Sequence, residues 1–134
     1  VKDLDFGRMT VTVRGGKGDK DRMTVLPERM VFPLKEHLVR IKAQFEQDRR
    51  EKVPPVYLPP ALERKMPNAG SQWIWQFLFP SSNLSMDPRS GITRRFHYHA
   101  DSINRNIRNA ARLAGIEKRV SSHVLRHRFA THLL

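Results

Sequence analysis

Apolar and polar residues alternate in two short stretches near the start of the chain. The first is "MTVTVR" at residues 9–14, and the second is "RMTV" at residues 22–25. Alternate side chains lie on one face of a β-strand, so each stretch is typical of a strand. The sequence between them, "GGKGDKD" at residues 15–21, has three glycines and suits a turn. The pattern predicts a β-hairpin over residues 8–26.

Three later segments have the apolar spacing of amphipathic helices. They are residues 33–50, with a solvated end at 46–52, residues 101–114, and the last residues of the chain. The apolar stripes comprise Leu34, Leu38, Ile41 and Phe45; Ile103, Ile107, Ala110 and Ala114; and Leu125, Phe129 and Leu133. Asp101 or Ser102 is expected to cap the middle helix.

Residues 53–90 interrupt this pattern, because they hold seven of the nine prolines and both tryptophans. We expect a short helix at 60–65, which Pro67 ends, and a strand at 73–80 in "WIWQFLFP". Trp73 and Trp75 are expected in the core of an inserted subdomain. The elements together predict an α+β fold that is mainly helical, with a small antiparallel β-sheet.

The charge of the chain favours a polyanionic partner. Its 25 Lys and Arg residues and 13 Asp and Glu residues give a net charge of +12. From Arg89 onward there are ten basic and two acidic residues, so this segment alone carries +8. Arginine predominates there, and its guanidinium can donate two parallel hydrogen bonds to a phosphate. A positive field of this size attracts nucleic acid, although a solubilising surface would show the same excess.

Other features of the composition exclude some classes of protein. The sequence has no cysteine, which excludes disulfides and thiolate metal sites and fits a reducing cytoplasm. No apolar run reaches the roughly 18 residues of a membrane span, so no membrane partner is expected. The chain begins on Val1 rather than Met and stops within an apolar stripe, so we expect it to be a piece of a longer protein.

The last helix carries the strongest candidate chemistry. His123 and Arg126 are three residues apart in its first turn, where free backbone N–H groups also favour an anion. His123 and His127 have the i, i+4 spacing of a zinc-binding helix, but no acid follows His123 as that motif requires. His127 and His132 are expected to be structural. On the preceding helix, three arginines at i, i+3 and i+7 could follow a phosphate backbone or form a solvated face: Arg105, Arg108 and Arg112.

These motifs resemble those of the tyrosine recombinases, the phage-integrase type of site-specific DNA recombinase. "HVLRHRFATHLL" is similar to the family's His-x-x-Arg motif, and "GGKGDKDR" resembles its Gly-Lys-Gly-x-Lys-x-Arg turn. "ALERKMPNAGSQWIWQFLFPS" and the later "DPRSG" resemble the extra segment of integron integrases in particular. The resemblance identifies residues 1–134 as part of a recombinase catalytic domain, with the integron-type segment at 53–100 and the motif helices at 101–134.

The resemblance implies a mechanism without metal or cofactor, in which a tyrosine attacks DNA and forms a 3′-phosphotyrosine. Lys17 would protonate the leaving 5′-oxygen, and His123 and Arg126 would stabilise the phosphate. Lys20 and Arg22 are expected to contact the DNA backbone or remain solvated. The family's first catalytic arginine and its nucleophile would lie outside this chain, since Tyr57 and Tyr98 do not match. The fragment alone is therefore expected to be inactive.

The integron resemblance also implies partners. Pro88, Phe96 and His97 match positions that stack on bases extruded from a folded single-stranded recombination site. We therefore expect binding to duplex DNA and to such folded sites, assembly of the full-length parent into a synaptic tetramer, and a location at the nucleoid in the bacterial cytoplasm. The alternative is a non-catalytic DNA-binding module of the same fold.

Overall fold

The computed structural model describes residues 1–16 and 18–132, except the side chains of Ala130 and His132. Lys17 and Leu133, which belong to the predictions above, lie outside these residues. The chain divides into two compact units, Val1–His97 and Tyr98–Leu134. Helical residues make up 45% of the chain, so the α+β fold is confirmed but "mainly helical" holds only in part. Within the described part, no helix combines the length and the hydropathy needed to cross a membrane.

The first unit begins with an antiparallel sheet of three strands, β1 (Leu4–Asp5), β2 (Thr10–Val13) and β3 (Arg22–Val25), in that order. In β2 and β3, Thr10 pairs with Val25 and Val13 pairs with Arg22. The predicted hairpin is therefore confirmed. Its connecting loop, which includes Lys17 in the sequence, lies beyond the ends of these two strands.

A long helix, α1 (Val31–Arg50), follows a 3-10 turn at Glu28–Met30. It begins two residues before the predicted start, and Ile41 from the predicted stripe is buried in it. Asp48 is also buried, with only 6% of its surface exposed. The expectation that this end of the helix is solvated was wrong at Asp48, because a basic side chain from another element covers it, as described below.

The core of the first unit lies in the proline-rich segment. Val56, Leu58 and Ala69 form a buried cluster, against which three partly buried side chains pack: Leu62, Trp75 and Phe77. The short helix α2 (Pro60–Lys65) supplies Leu62 and has the predicted bounds. A proline at its first position is favourable, since that residue has no intrahelical N–H bond to lose.

The strand predicted at residues 73–80 is wrong. Trp73–Trp75 instead form a 3-10 turn, and the strand begins only at Pro80. The side-chain amide of Gln76 donates hydrogen bonds to the Gln72 carbonyl at 2.8 Å and to the Gly70 carbonyl at 3.0 Å, which stabilises the turn. The turn sends the two tryptophans to different neighbours: Trp75 packs on the core, while the Trp73 ring lies 5.6 Å from the Phe45 ring of α1.

Two antiparallel strands, β4 (Pro80–Met86) and β5 (Thr93–His97), complete the first unit. A turn at residues 87–91 joins them, and Asp87 holds it together with only 1% of its surface exposed. Its carboxylate accepts hydrogen bonds from the Arg89 N–H at 3.0 Å and the Ser90 hydroxyl at 3.1 Å. These bonds fix the shape of the hairpin tip.

The second unit contains two helices, α3 (Ala100–Leu113) and α4 (Ser122–His132). His99 caps α3 by accepting from the Asp101 N–H, so the predicted cap at Asp101 or Ser102 was displaced by two or three residues. Asp101 instead supplies a carboxylate in the first turn, where the helix dipole favours it. In α4, Leu125 and Phe129 remain 50% and 40% exposed, so the inward stripe predicted there is not buried.

Candidate phosphate site and nucleic-acid interface

The start of α4 is fixed by two serines. The Ser122 N–H and hydroxyl both donate to the Asn104 side-chain oxygen of α3, at 3.1 Å and 2.9 Å. The Ser121 hydroxyl accepts from the Val124 N–H at 3.4 Å, as an N-cap residue does. The first four N–H groups of a helix have no partner within the helix, and here the His123 N–H has none among the described residues. The first turn of α4 is thus anchored to α3, while the His123 N–H remains open.

His123 and Arg126 are both exposed on this turn. The His123 ring lies edge-on to the His127 ring, with 4.6 Å between the ring centroids. Arg126 has no ion pair with any residue that the structure describes. A free guanidinium, an imidazole and an open N–H near the positive end of a helix together suit an oxyanion.

The i, i+4 spacing of His123 and His127 produces a ring contact on one helix face. Groups of three or more His, Asp or Glu side chains that could hold a metal ion do not occur within the described part of the chain.

The predicted basic face of α3 is present. Arg105, Arg108 and Arg112 are all exposed, and none makes a hydrogen bond or ion pair with another described side chain. Arg128 on α4 is exposed in the same way. These guanidinium groups are available to phosphates, and an exposed, solvated face remains the simpler interpretation for each one taken alone.

The loop that contains Lys17 is described only on either side of that residue. Arg14 bridges Asp3 at 2.7 Å and Asp21 at 2.8 Å, and the Gly15 N–H donates to the Asp21 carboxylate. Asp3 is partly buried, which by itself raises a carboxyl pKa, but its bonds to Arg14 hold the Asp3 pKa below its ordinary value. The base of the loop is therefore tied down, while Lys20 beyond it is exposed.

The glycines of this loop are required by its backbone. Gly15 and Gly18 have φ angles of 58° and 74°, in the left-handed region that residues with a Cβ rarely adopt. Arg22, at the end of the loop, is exposed at the start of β3. Lys20 and Arg22 thus lie where a polyanion could contact them.

The sequence of the whole chain, residues 1–134, matches the profile of the Phage integrase family. The chain belongs to this family. Two proteins named integrase/recombinase, from Escherichia coli and Pseudomonas aeruginosa, are each 47% identical to it over 134 residues, which cover 40% of each relative. Tyrosine recombinase XerD of Agrobacterium fabrum is 30% identical over 120 residues, which are 89% of this chain and 30% of the relative. The chain thus spans less than half the length of these relatives.

In this phage integrase, the three predicted base-stacking residues lie at two ends of one hairpin. Pro88 is exposed in the turn between β4 and β5, whereas Phe96 and His97 end β5. The Phe96 ring stacks on Phe77 with 6.2 Å between centroids and lies 5.5 Å from the His97 ring. Because β5 alone spans about 13 Å at roughly 3.3 Å per residue, a single base could not contact Pro88 and Phe96 together.

Two arginines of the same hairpin are engaged inside the protein. Arg95 donates to both carboxylate oxygens of Asp48, at 2.5 Å and 2.7 Å, and to the Ser81 and Ser82 carbonyls at 2.8 Å and 2.9 Å. The bond to Asp48 raises the Arg95 pKa further. Arg94 is only 8% exposed and donates to the Pro55 carbonyl at 3.0 Å. Two of the ten basic residues counted from Arg89 onward are therefore bound within the protein and are not available to an external anion.

The sequence patterns did not predict that two carboxylates on which the hairpin depends, those of Asp48 and Asp87, are buried. A helix end rich in charge gave no sign that Asp48 would be covered. Asp87 had a weak signal, because Asp before Pro at the start of a short turn often accepts bonds from the following backbone N–H groups. The hydrogen bond that the Asp87 carboxylate accepts from the Arg89 N–H lowers the Asp87 pKa, although burial alone would raise it.

Proposed function

We propose that this chain is part of a tyrosine recombinase that cuts and rejoins DNA at specific sites. In this proposal His123 and Arg126 bind the scissile phosphate, and Lys17 protonates the leaving 5′-oxygen. The observation that carries the proposal is Arg126, which is exposed beside His123 on a helix start without an ion pair to a described residue, in a chain that matches the Phage integrase profile over all its residues. The exposed arginines of α3 support DNA as the partner.

In the proposed reaction one phosphodiester bond breaks as another forms, so the number of phosphodiester bonds does not change. A tyrosine hydroxyl loses its proton to solvent as its oxygen forms a bond to phosphorus. The bond from phosphorus to the 5′-oxygen breaks at the same time, and a proton from Lys17 goes to that oxygen. Negative charge grows on the non-bridging oxygens in the transition state. Arg126 can donate two hydrogen bonds to them and His123 one more, which stabilises the transition state more than the ground state.

Neither tyrosine of this chain matches the nucleophile by resemblance, and both make contacts within the protein. Tyr57 lies beneath the Arg89 guanidinium, 5.0 Å from its central carbon to the ring centroid. The Tyr98 hydroxyl accepts a hydrogen bond from the Asn106 amide at 3.2 Å. We therefore expect the 134-residue chain to form no covalent adduct with a nicked DNA substrate. A phosphotyrosine adduct, detected by mass shift and mapped to Tyr57 or Tyr98, would contradict this assignment.

The catalytic roles are tested by substitution in the whole recombinase. We expect Arg126→Ala to lower the cleavage rate about 10²–10³-fold, as the loss of an oxyanion contact typically does, and Lys17→Ala about 10²–10⁴-fold. DNA binding should remain in both variants. Arg64→Ala is the control, because Arg64 is an exposed arginine of α2 to which the proposal assigns no role. Unchanged recombination in both variants would instead indicate a non-catalytic DNA-binding module.

We also propose that the protein belongs to the integron type and binds folded single-stranded sites, as a tetramer when synapsed. Stacking on an extruded base contributes roughly 1–3 kcal/mol, about tenfold or more in affinity. The protein should therefore prefer a DNA hairpin with extruded bases over a plain duplex of equal length. Phe96→Ala should remove that preference, and His97→Ala tests the same point with an exposed ring. Equal affinity for both DNAs in the wild-type protein would remove the integron assignment.

A further inference from the structure

A basic groove lies beside the C-terminal end of α3 in the second unit. Its volume is about 440 Å³, and the lining residues come from the last turns of α3 and from the segment before α4. Four of them are cationic and one is acidic: Arg108, Arg112, Lys118, Arg119 and Glu117. We propose that this groove binds a phosphate and its sugar in the DNA backbone, separately from the His123–Arg126 site. The proposal rests on the proposed function, since that makes DNA the partner.

The end of α3 creates the groove. Gly115 has a φ of 68°, which reverses the chain, and its N–H donates to the Arg112 carbonyl at 3.1 Å. The Ile116 N–H donates to the Ala111 carbonyl at 2.9 Å, which completes a Schellman motif. The reversed chain returns Lys118 and Arg119 alongside the last turns of the helix. Two arginines from the helix and two cations from the return thus face one concave surface.

A simpler explanation for these cations is the helix dipole, because positive side chains near a helix C-terminus stabilise it. That explanation suits Arg112, which lies in the last turn. The C-terminus of α3 does not need Lys118 and Arg119 for stabilisation, because the carbonyls of Ala111 and Arg112 already accept the backbone hydrogen bonds of the Schellman motif. Neither Lys118 nor Arg119 pairs with Glu117 or with another side chain in the described ranges. Their charges therefore remain available.

The groove has apolar surface as well as positive charge, and a segment of the DNA backbone can contact both. Ala111, Ile116 and Val120 contribute apolar atoms between the cationic side chains. Deoxyribose offers apolar carbons beside each phosphate, so a sugar can contact these atoms while the phosphate meets the cations. The volume also lies within the roughly 300–1,000 Å³ of sites that hold small ligands.

The test compares two charge-matched double variants of the whole chain. Lys118→Gln with Arg119→Gln removes two of the four cations of the groove, and Arg64→Gln with Lys65→Gln removes the same two residue types from exposed positions on α2. Affinity for a plain DNA duplex is measured across a series of salt concentrations. Each lost phosphate contact should lower the slope of log K against log salt by about 0.9. Because both cations contact the same phosphate, the groove variant should lose a slope of about 0.9 and bind about tenfold more weakly at about 0.1 M salt.

The control variant should change neither quantity by a comparable amount. If the groove variant matches the control while the wild-type protein binds DNA, the groove assignment is overturned and the proposed function stands. If the wild-type protein binds no duplex at any salt concentration, the proposed function fails and the groove assignment fails with it. Glu117→Gln keeps the test decisive should the double variant misfold, because loss of the groove's carboxylate should tighten binding severalfold. Unchanged binding in Glu117→Gln would also overturn the assignment.

Discussion

The arginines of the β4–β5 hairpin and those of the second unit differ in what they contact. Arg95 is paired with a buried carboxylate and two carbonyls, and Arg94 is buried against a carbonyl and a serine hydroxyl. Arg105, Arg108 and Arg126 are exposed and make no such contacts within the described part of the second unit. The same residue type therefore stabilises the fold in one region and is free for a ligand in the other.

The difference shows that a basic count cannot by itself locate a nucleic-acid interface. What separates the two groups is the position of an acid in the fold: Asp48 lies 47 residues before Arg95 and yet forms two hydrogen bonds with it. The second unit has acids as well, but neither Asp101 nor Glu117 forms an ion pair with an arginine among the described residues. A guanidinium that meets no buried carboxylate keeps its field for an external anion.

The largest expected effect on stability comes from substituting Arg95, the arginine paired with Asp48. Arg95→Ala should lower the free energy of unfolding by about 3–5 kcal/mol, because it leaves the Asp48 carboxylate buried without its partner. Urea denaturation followed by circular dichroism measures this loss. Asp48→Leu combined with Arg95→Leu should recover much of it, since no unpaired charge then remains. A loss below about 1 kcal/mol in Arg95→Ala would indicate that water reaches Asp48 and that the two regions do not differ.

Much of the local structure could be predicted from the sequence, because it depends on residues near one another. Strict alternation predicted the hairpin of β2 and β3, and helical spacing predicted α1 and α3 to within two residues at each start. The bounds of α2 also followed from its flanking prolines. Each of these elements is determined by its own apolar pattern and by the backbone preferences of Gly and Pro.

Contacts between distant residues could not be predicted in the same way. The pair of Asp48 and Arg95 depends on how α1 and β5 pack, and no local pattern encodes that packing. The alternation at residues 73–80 predicted a strand, but bonds from the Gln76 side chain favoured a turn. For the candidate site, the spacing of His123 and Arg126 predicted a shared helix turn, while the role of Lys17 rests on resemblance alone.

A second prediction concerns the Pro55 carbonyl, which accepts a hydrogen bond from Arg94, the other buried arginine. A Cβ added at Gly70 would lie 2.8 Å from the Val56 carbonyl oxygen and 3.1 Å from the Pro55 Cβ, which is too close for either to remain in place. Because the Pro55 carbonyl accepts from Arg94, Gly70→Ala should loosen both the core and the hairpin, at a cost of about 1–3 kcal/mol. Thermal unfolding measures it, and an unchanged midpoint would refute the tight contact.

A third prediction concerns the hairpin turn and pH. The Arg89 N–H bond lowers the Asp87 pKa in the folded state, so the stability that the carboxylate contributes is present above its ordinary pKa of 3.8. That contribution is lost as pH falls through the lowered value. Asp87→Asn should therefore unfold at a lower temperature than the wild-type protein near pH 6, and the difference should shrink as the pH falls below 3.8. A constant difference over that range would mean that the charge contributes nothing.

The smallest expected effect on stability is in the second unit, and it gives the sharpest contrast with Arg95. Arg105→Gln removes an exposed side chain without a described partner, so the free energy of unfolding should change by no more than about 0.5 kcal/mol. If Arg105 contacts a phosphate, the same substitution should lower the salt slope of DNA binding by about 0.9. Substitution of an arginine that supports the fold lowers stability, whereas substitution of one that contacts a ligand lowers only binding. A loss of stability without a change in slope would therefore place Arg105 with the hairpin arginines, and α3 would no longer be a candidate DNA-binding face.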